Sequence, residues 1–101
     1  MQSSALADQI IKRFIERVTI QGKRNYFAYV DSYPDGIIVL RRNGNTARVP
    51  KSYLIAAIEA VRKDPAIYDA GPNRLRPYVR GRVHSPLWAM LQLAKLDEFI
   101  Y

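Results

Sequence analysis

Apolar residues recur at spacings of three and four near the start of the chain: Leu6, Ile10, Ile11, Phe14, Ile15 and Val18. That period puts them on one stripe of a helix spanning residues 4 to 18. Asp8, Gln9, Lys12, Arg13, Glu16 and Arg17 fall on the opposite face, and Ser3 or Ser4 suits the N-cap. Gly22 closes the region, and Lys23-Arg24-Asn25 follows as a basic turn. The pattern then changes. Tyr26 to Val30 is rich in aromatic and β-branched residues and reads as a strand. Ser32 to Gly36, with Pro34-Asp35-Gly36 at its end, has the chemistry of a turn. Ile37 to Arg42 and Thr46 to Val49 read as two further strands joined at Asn43-Gly44, the pair favoured in two-residue hairpin turns.

Pro50 is expected to stop the ladder, and residues 52 to 63 carry a second helical stripe of Leu54, Ile55, Ile58 and Val61, with Ser52 as a cap. Asp64-Pro65 ends it. Residues 66 to 84 are irregular, with Gly71-Pro72, Pro77 and Gly81. Ser85-Pro86 then marks a helix start, serine capping and proline in the first turn, for a last helix running from about residue 86 to the end. The pattern predicts an α+β fold: an N-terminal helix, a three-stranded antiparallel meander, then two helices separated by an arginine-rich loop. At 101 residues the chain is one domain, 1–101, because two cores would each be too small.

Leu87, Trp88, Ala89, Met90, Leu91, Leu93, Ala94, Leu96, Phe99 and Ile100 surround the last helix almost completely. One buried stripe needs fewer apolar positions. The helix is therefore expected either to sit at the centre of the core or to join a homodimer through Trp88, Leu91 and Phe99. Gln92, Lys95, Asp97 and Glu98 interrupt it, so it does not read as a membrane span. No basic leader and apolar run opens the chain, so no secretory signal is expected. With no cysteine there is neither a disulfide framework nor a thiolate metal site, which fits a reducing, cytoplasmic setting.

Charge changes the picture most. The net charge is +7, from 16 basic and 9 acidic residues, and 11 of the basic residues are arginine. A guanidinium grips phosphate with two parallel hydrogen bonds, which an ammonium cannot do. The charge concentrates in three segments. Residues 12–24 hold Lys12, Arg13, Arg17, Lys23 and Arg24 against Glu16. Residues 41–51 hold Arg41, Arg42, Arg48 and Lys51 with no acid, and residues 74–82 hold Arg74, Arg76, Arg80 and Arg82 with no acid. Cations this close repel one another, and a polyanion relieves the repulsion while shedding its own counterions.

A two-residue loop at Asn43-Gly44 would put Ile38, Leu40, Ala47 and Val49 on one face of the hairpin and Arg41, Thr46 and Arg48 on the other, and a three-residue loop would reverse this. The first arrangement offers two guanidinium groups on one ribbon face, a shape suited to a nucleic-acid groove. In the segment Arg74 to His84, Tyr78 among the arginines suits base stacking. Tyr26 and Tyr29 fall on opposite faces of their strand, so only one of them can join the core. His84 is the sole histidine and reads as structural or anion-contacting. No zinc-ligand set, glycine-rich phosphate loop or nucleophile motif accompanies it, so neither a metal nor a cofactor is expected. The run Gly44 to Leu54 is similar to the hairpin-then-proline pattern of swapped-hairpin transcription regulators of the AbrB type, although the long helices on both sides depart from that family's small format.

Taken together these features point to a non-catalytic nucleic-acid-binding protein, DNA in preference to RNA. Its expected contacts are Lys23, Arg24, Arg41, Arg42, Arg48, Lys51, Arg74, Arg76, Tyr78, Arg80, Arg82 and His84. A protein-interaction or oligomerisation module with a solvated basic surface is the alternative. A small basic ribonuclease ranks third, because the chain has few groups suited to general-base work.

Overall fold

Helix α1 (Ser3–Arg17) buries Leu6, Ile10 and Phe14 of the expected stripe, with Ala7 beside them and Ile11 half-buried. Its later apolar positions, Ile15 and Val18, stay exposed. The computed structural model describes residues 1–100 and has the predicted α+β architecture. An antiparallel sheet follows α1 in the order β1 (Thr19–Gln21), β2 (Tyr26–Tyr33), β3 (Gly36–Arg41), β4 (Thr46–Pro50). Then come α2 (Lys51–Lys63), α3 (Ile67–Ala70), a 3₁₀ turn (Pro72–Leu75), α4 (His84–Leu91) and α5 (Leu96–Ile100). The strand additional to the expected three is β1, paired with β2 through Thr19–Ala28, Ile20–Phe27 and Gln21–Tyr26.

The sheet has one covered face. Ile20, Phe27, Ile37, Val39 and Val49 point inward to a single core shared with Leu54, Ile58, Val61, Leu87, Met90 and Leu91. Tyr29 joins them, its ring edge-on to Phe14 at 6.1 Å between centroids, while Tyr26 on the other face is exposed. One of the two tyrosines thus belongs to the core, as the alternation requires.

The hairpin departs from expectation. Leu40 pairs with Thr46, the Gly44 amide donates to the Arg41 carbonyl, and the Arg41 amide donates to the Asn45 carbonyl. The loop is therefore Arg42-Asn43-Gly44, three residues long, with Gly44 at φ +86°. This is a turn closed by a left-handed glycine bulge rather than a primed turn. The extra residue reverses the faces. Val39, Ala47 and Val49 lie inward with Arg41 on the same side, and Leu40, Thr46, Ile38 and Arg48 lie outward. Arg41 and Arg48 therefore do not share a face.

Three boundaries also differ. Pro50 is still in the ladder, opposite Gly36, and α2 begins at Lys51, so Ser52 is inside the first turn and not the cap. Likewise α4 begins at His84, ahead of the expected Ser85 cap. The last helix is broken, because residues 92–95 turn the chain between α4 and α5. At the front of α5 the Glu98 carboxylate accepts the Lys95 amide at 2.7 Å, one half of a capping box. The same carboxylate receives Arg13 at 2.7 Å and 3.0 Å, and Arg13 also reaches the Leu93 carbonyl. Hydrogen bonds from Arg13, then from the Lys95 amide, hold the Glu98 carboxyl below its ordinary pKa, and the bond to Glu98 raises that of Arg13.

The break settles where the surplus apolar surface goes. Leu91 and Phe99 are buried in the chain's own core, and the half-buried Trp88 donates its indole N–H to the Ile67 carbonyl. Leu91 and Phe99, expected at a dimer contact, thus lie in the chain's own core, and Trp88 packs half-buried against it. Arg62 ties the two chain ends together, donating to the carbonyls of Phe99 and Met1 and to the Ser3 hydroxyl. Ser3, expected at the α1 cap, is consumed there. No helix among the described residues is long and apolar enough to cross a membrane.

Candidate nucleic-acid interface

Three separate chain segments meet at the end of the sheet where β1 turns into β2. The tight turn Gly22–Asn25 is closed by a hydrogen bond from the Gly22 amide to the Asn25 carbonyl, and it projects Lys23 and Arg24. The three-residue hairpin loop ends β3 beside it and projects Arg42 and Asn43. The third segment is the irregular chain from Gly71 to Ser85. It is tied to the hairpin by Arg41, whose Nη2 donates to the Arg82 carbonyl, and Lys23 of the turn reaches with its Nζ the carbonyl of Ala70, the residue just before it, at 3.5 Å.

Gly71 shows why the approach is close. It sits at φ +104°, and a Cβ there would lie 3.2 Å from Lys23 Cδ and Nζ. A side chain at this position is strained by the positive φ and would also crowd the lysine lying across it.

Two adjoining cavities result. One, of about 250 Å³, is lined by Lys23, Arg24, Asn25, Gly71, Asn73 and Ser85 among others. The other, of about 360 Å³, is lined by Asn25, Phe27, Arg41, Arg42, Asn43 and Ser85. Asn25, Phe27 and Ser85 belong to both, so the two cavities adjoin along these shared walls. Among the described residues, neither is lined by a carboxylate. The lining is rich in hydrogen-bond donors. The Asn43 and Asn73 side-chain oxygens already accept from the Asn45 amide and from Arg76 Nε, which leaves their NH₂ groups for a ligand. Arg24 and Arg42 make no hydrogen bond or ion pair with any described residue.

The remaining expected contacts disperse. Lys51 pairs with Asp8 at 2.7 Å and Arg74 with Asp64 at 3.5 Å. Arg48 lies on the outer face, its guanidinium 5.1 Å from the centroid of the Tyr33 ring. Arg13, counted in the first basic segment, is committed to Glu98. His84 Nε2 lies 2.7 Å from the Val79 carbonyl and must carry the proton to donate there, so the ring braces the loop. Arg76, Tyr78, Arg80 and Arg82 are exposed on the same loop without lining either cavity. Arg82 adjoins the site through its carbonyl. Asn25, Asn43, Asn73 and Ser85 join the site without having been singled out as contacts, and the advance sign was that each of the three asparagines adjoins an arginine in sequence.

Among the described residues no three His, Cys, Asp or Glu side chains cluster as a metal site. Comparison with protein-family models, with curated proteins and with solved structures yields no match. The hairpin-then-proline likeness therefore extends no further than its own eleven residues, 44 to 54.

Proposed function

We propose that this protein is a non-catalytic nucleic-acid-binding protein whose interface is the depression between the Lys23–Asn25 turn, the Arg42–Gly44 loop and Ser85. One observation carries the reading: Lys23, Arg24, Arg41 and Arg42 come from two distant segments to line adjoining cavities whose walls, among the described residues, hold no carboxylate. Concentrated uncompensated charge, with asparagine and serine donors between the cations, matches the requirement of a phosphate backbone. Guanidinium groups held on turns can straddle a phosphate backbone, and DNA is preferred over RNA because the two-stranded β3–β4 ribbon that ends in the Arg42–Gly44 loop is of a kind the DNA major groove admits. The engagement of His84 with Val79 takes the single histidine away from general-base work, which favours binding over strand cleavage.

The test is equilibrium binding of duplex DNA, single-stranded DNA and RNA across a salt series. Binding that weakens linearly in log–log form with salt is the expected result. Absence of binding to all three at low salt overturns the proposal, and loss of intact RNA during the titration overturns its non-catalytic part.

A further inference from the structure

No helix among the described residues covers the outer face of the sheet. Tyr26, Val30 and Leu40 are 60%, 48% and 39% exposed there, and Ala28 and Ile38 are half-buried. Contiguous apolar exposure of this kind is unlike the isolated apolar residues that any surface carries. The register gives the face a pattern. Asp31, Ile38 and Arg48 form one row across β2, β3 and β4, and Ala28, Leu40 and Thr46 form another. An apolar line of Ile38 and Leu40 thus runs along β3, with an acid on one flank and a base on the other.

We propose that this face is the interface of a homodimer in which two sheets pack face to face about a two-fold axis running along β3. That axis lays β2 of each copy over β4 of the other. Asp31 then faces the partner's Arg48, Arg48 faces the partner's Asp31, and the Ile38–Leu40 line meets its own counterpart. An axis across the strands would instead lay β2 on β2 and β4 on β4, which keeps Asp31 from the partner's Arg48 wherever the axis lies and sets like charge on like when it passes through their row, so the charge pattern selects the first. Aligned sheets pack about 10 Å apart with their strands within about 30° of one another, which suits residues of this length. Arg48 is already held against the Tyr33 ring, so less side-chain freedom is lost on association.

The inference does not rest on the proposed function, but it bears on it. A two-fold axis along the strands preserves their direction. The Lys23–Asn25 turns and the Arg42–Gly44 loops of both copies then lie at the same end of the dimer, doubling the basic depression there.

Sedimentation equilibrium on the full chain, without nucleic acid, tests it. The wild-type protein is expected to show a monomer–dimer equilibrium. Asp31→Arg and Arg48→Asp each place like charges across the interface and should weaken dimerisation at least about tenfold. An equimolar mixture of the two variants restores opposite charges at both pairs and should dimerise at wild-type strength. Leu40→Asp should abolish association, and its exposed position keeps the fold, checked by circular dichroism. A wild-type chain that stays monomeric at every concentration overturns the proposal. So does a dimer indifferent to both charge reversals, or a mixture of the two variants that fails to restore association.

Discussion

Arg41 Nη2 donates to the main-chain carbonyl of Arg82, joining the tip of the β3–β4 hairpin to the arginine-rich loop across 41 positions of sequence. The bond exists because the hairpin loop has three residues rather than two. One residue fewer would send Arg41 to the outer face, away from the loop. The bond is also charge-assisted, and such bonds are about twice as strong as neutral ones. Arg41→Ala is therefore expected to release the loop. Amides of residues 80–85 should exchange with solvent faster, and nucleic-acid affinity should fall by more than the loss of one charge explains. Arg41→Lys keeps the charge without the fork, and should recover the salt dependence but only part of the loop protection. Hydrogen exchange read by mass spectrometry beside a binding titration separates the two effects.

Arg24 and Arg42 are the unpartnered cations of the depression, whereas Lys51 and Arg74 each face a carboxylate. Arg24→Ala and Arg42→Ala should each weaken nucleic-acid binding uniformly across sequences and lower the slope of log K against log salt by about 1. Lys51→Gln and Arg74→Gln should leave that slope within error. Equal loss in all four variants would mean that net charge alone, and no localised site, governs binding.

The first two helices and the existence of the hairpin were legible, from stripes such as Leu6–Phe14 and from Asn43-Gly44 between two β-rich runs, but the inward face of β3 was not, because Ile37-Ile38-Val39-Leu40 is apolar throughout and shows no alternation. Strand β1 was not, since Thr19–Gln21 is too short for alternation to show and is defined by its pairing with β2. Asn43-Gly44 identified the hairpin correctly and its loop length wrongly. The same glycine serves a primed turn or a left-handed bulge, and local sequence does not choose between them. The candidate interface was legible as three basic segments, but not as a place. Which cations are spent, Arg13 on Glu98 and Arg74 on Asp64, depends on contacts between distant residues. So does which ones converge, through Lys23 over Gly71 and Arg41 on Arg82.

Glu98 links α1, α5 and the turn between α4 and α5, and Arg13 together with the Lys95 amide lowers its pKa. A carboxylate depressed in the folded state contributes stability that is fully present above its unfolded pKa. That contribution is lost as pH falls through the lower, folded value. Glu98→Gln should accordingly destabilise the protein near neutral pH, with the difference from wild type shrinking progressively in the acid range. Paired urea titrations at a series of pH values read this directly. A difference that stays constant down to the acid limb would mean that the amide loses packing or geometry rather than charge.

Val18 ends α1 at φ 68° and ψ −45°, the only non-glycine residue with positive φ among those described. A β-branched side chain is poorly suited to this region, which lies near the strained γ-turn. Two hydrogen bonds hold it there. Its amide donates to the Phe14 carbonyl at 2.7 Å, and its carbonyl accepts the Tyr29 amide at 2.7 Å, so the turn that launches β1 is pinned from both sides. Strain of this kind amounts to about 1–3 kcal/mol. Val18→Gly removes it, against roughly 0.5–1 kcal/mol of added freedom in the unfolded chain. The side chain is 51% exposed, so little burial is forfeited. The net expectation is a gain of about 0.5–1 kcal/mol, seen as a Tm higher by about 2–8 °C for a domain of this size. Val18→Ala keeps a Cβ at the same positive φ and should not show the gain. A Val18→Gly protein that melts below the wild type would establish that the side chain's packing outweighs its backbone strain.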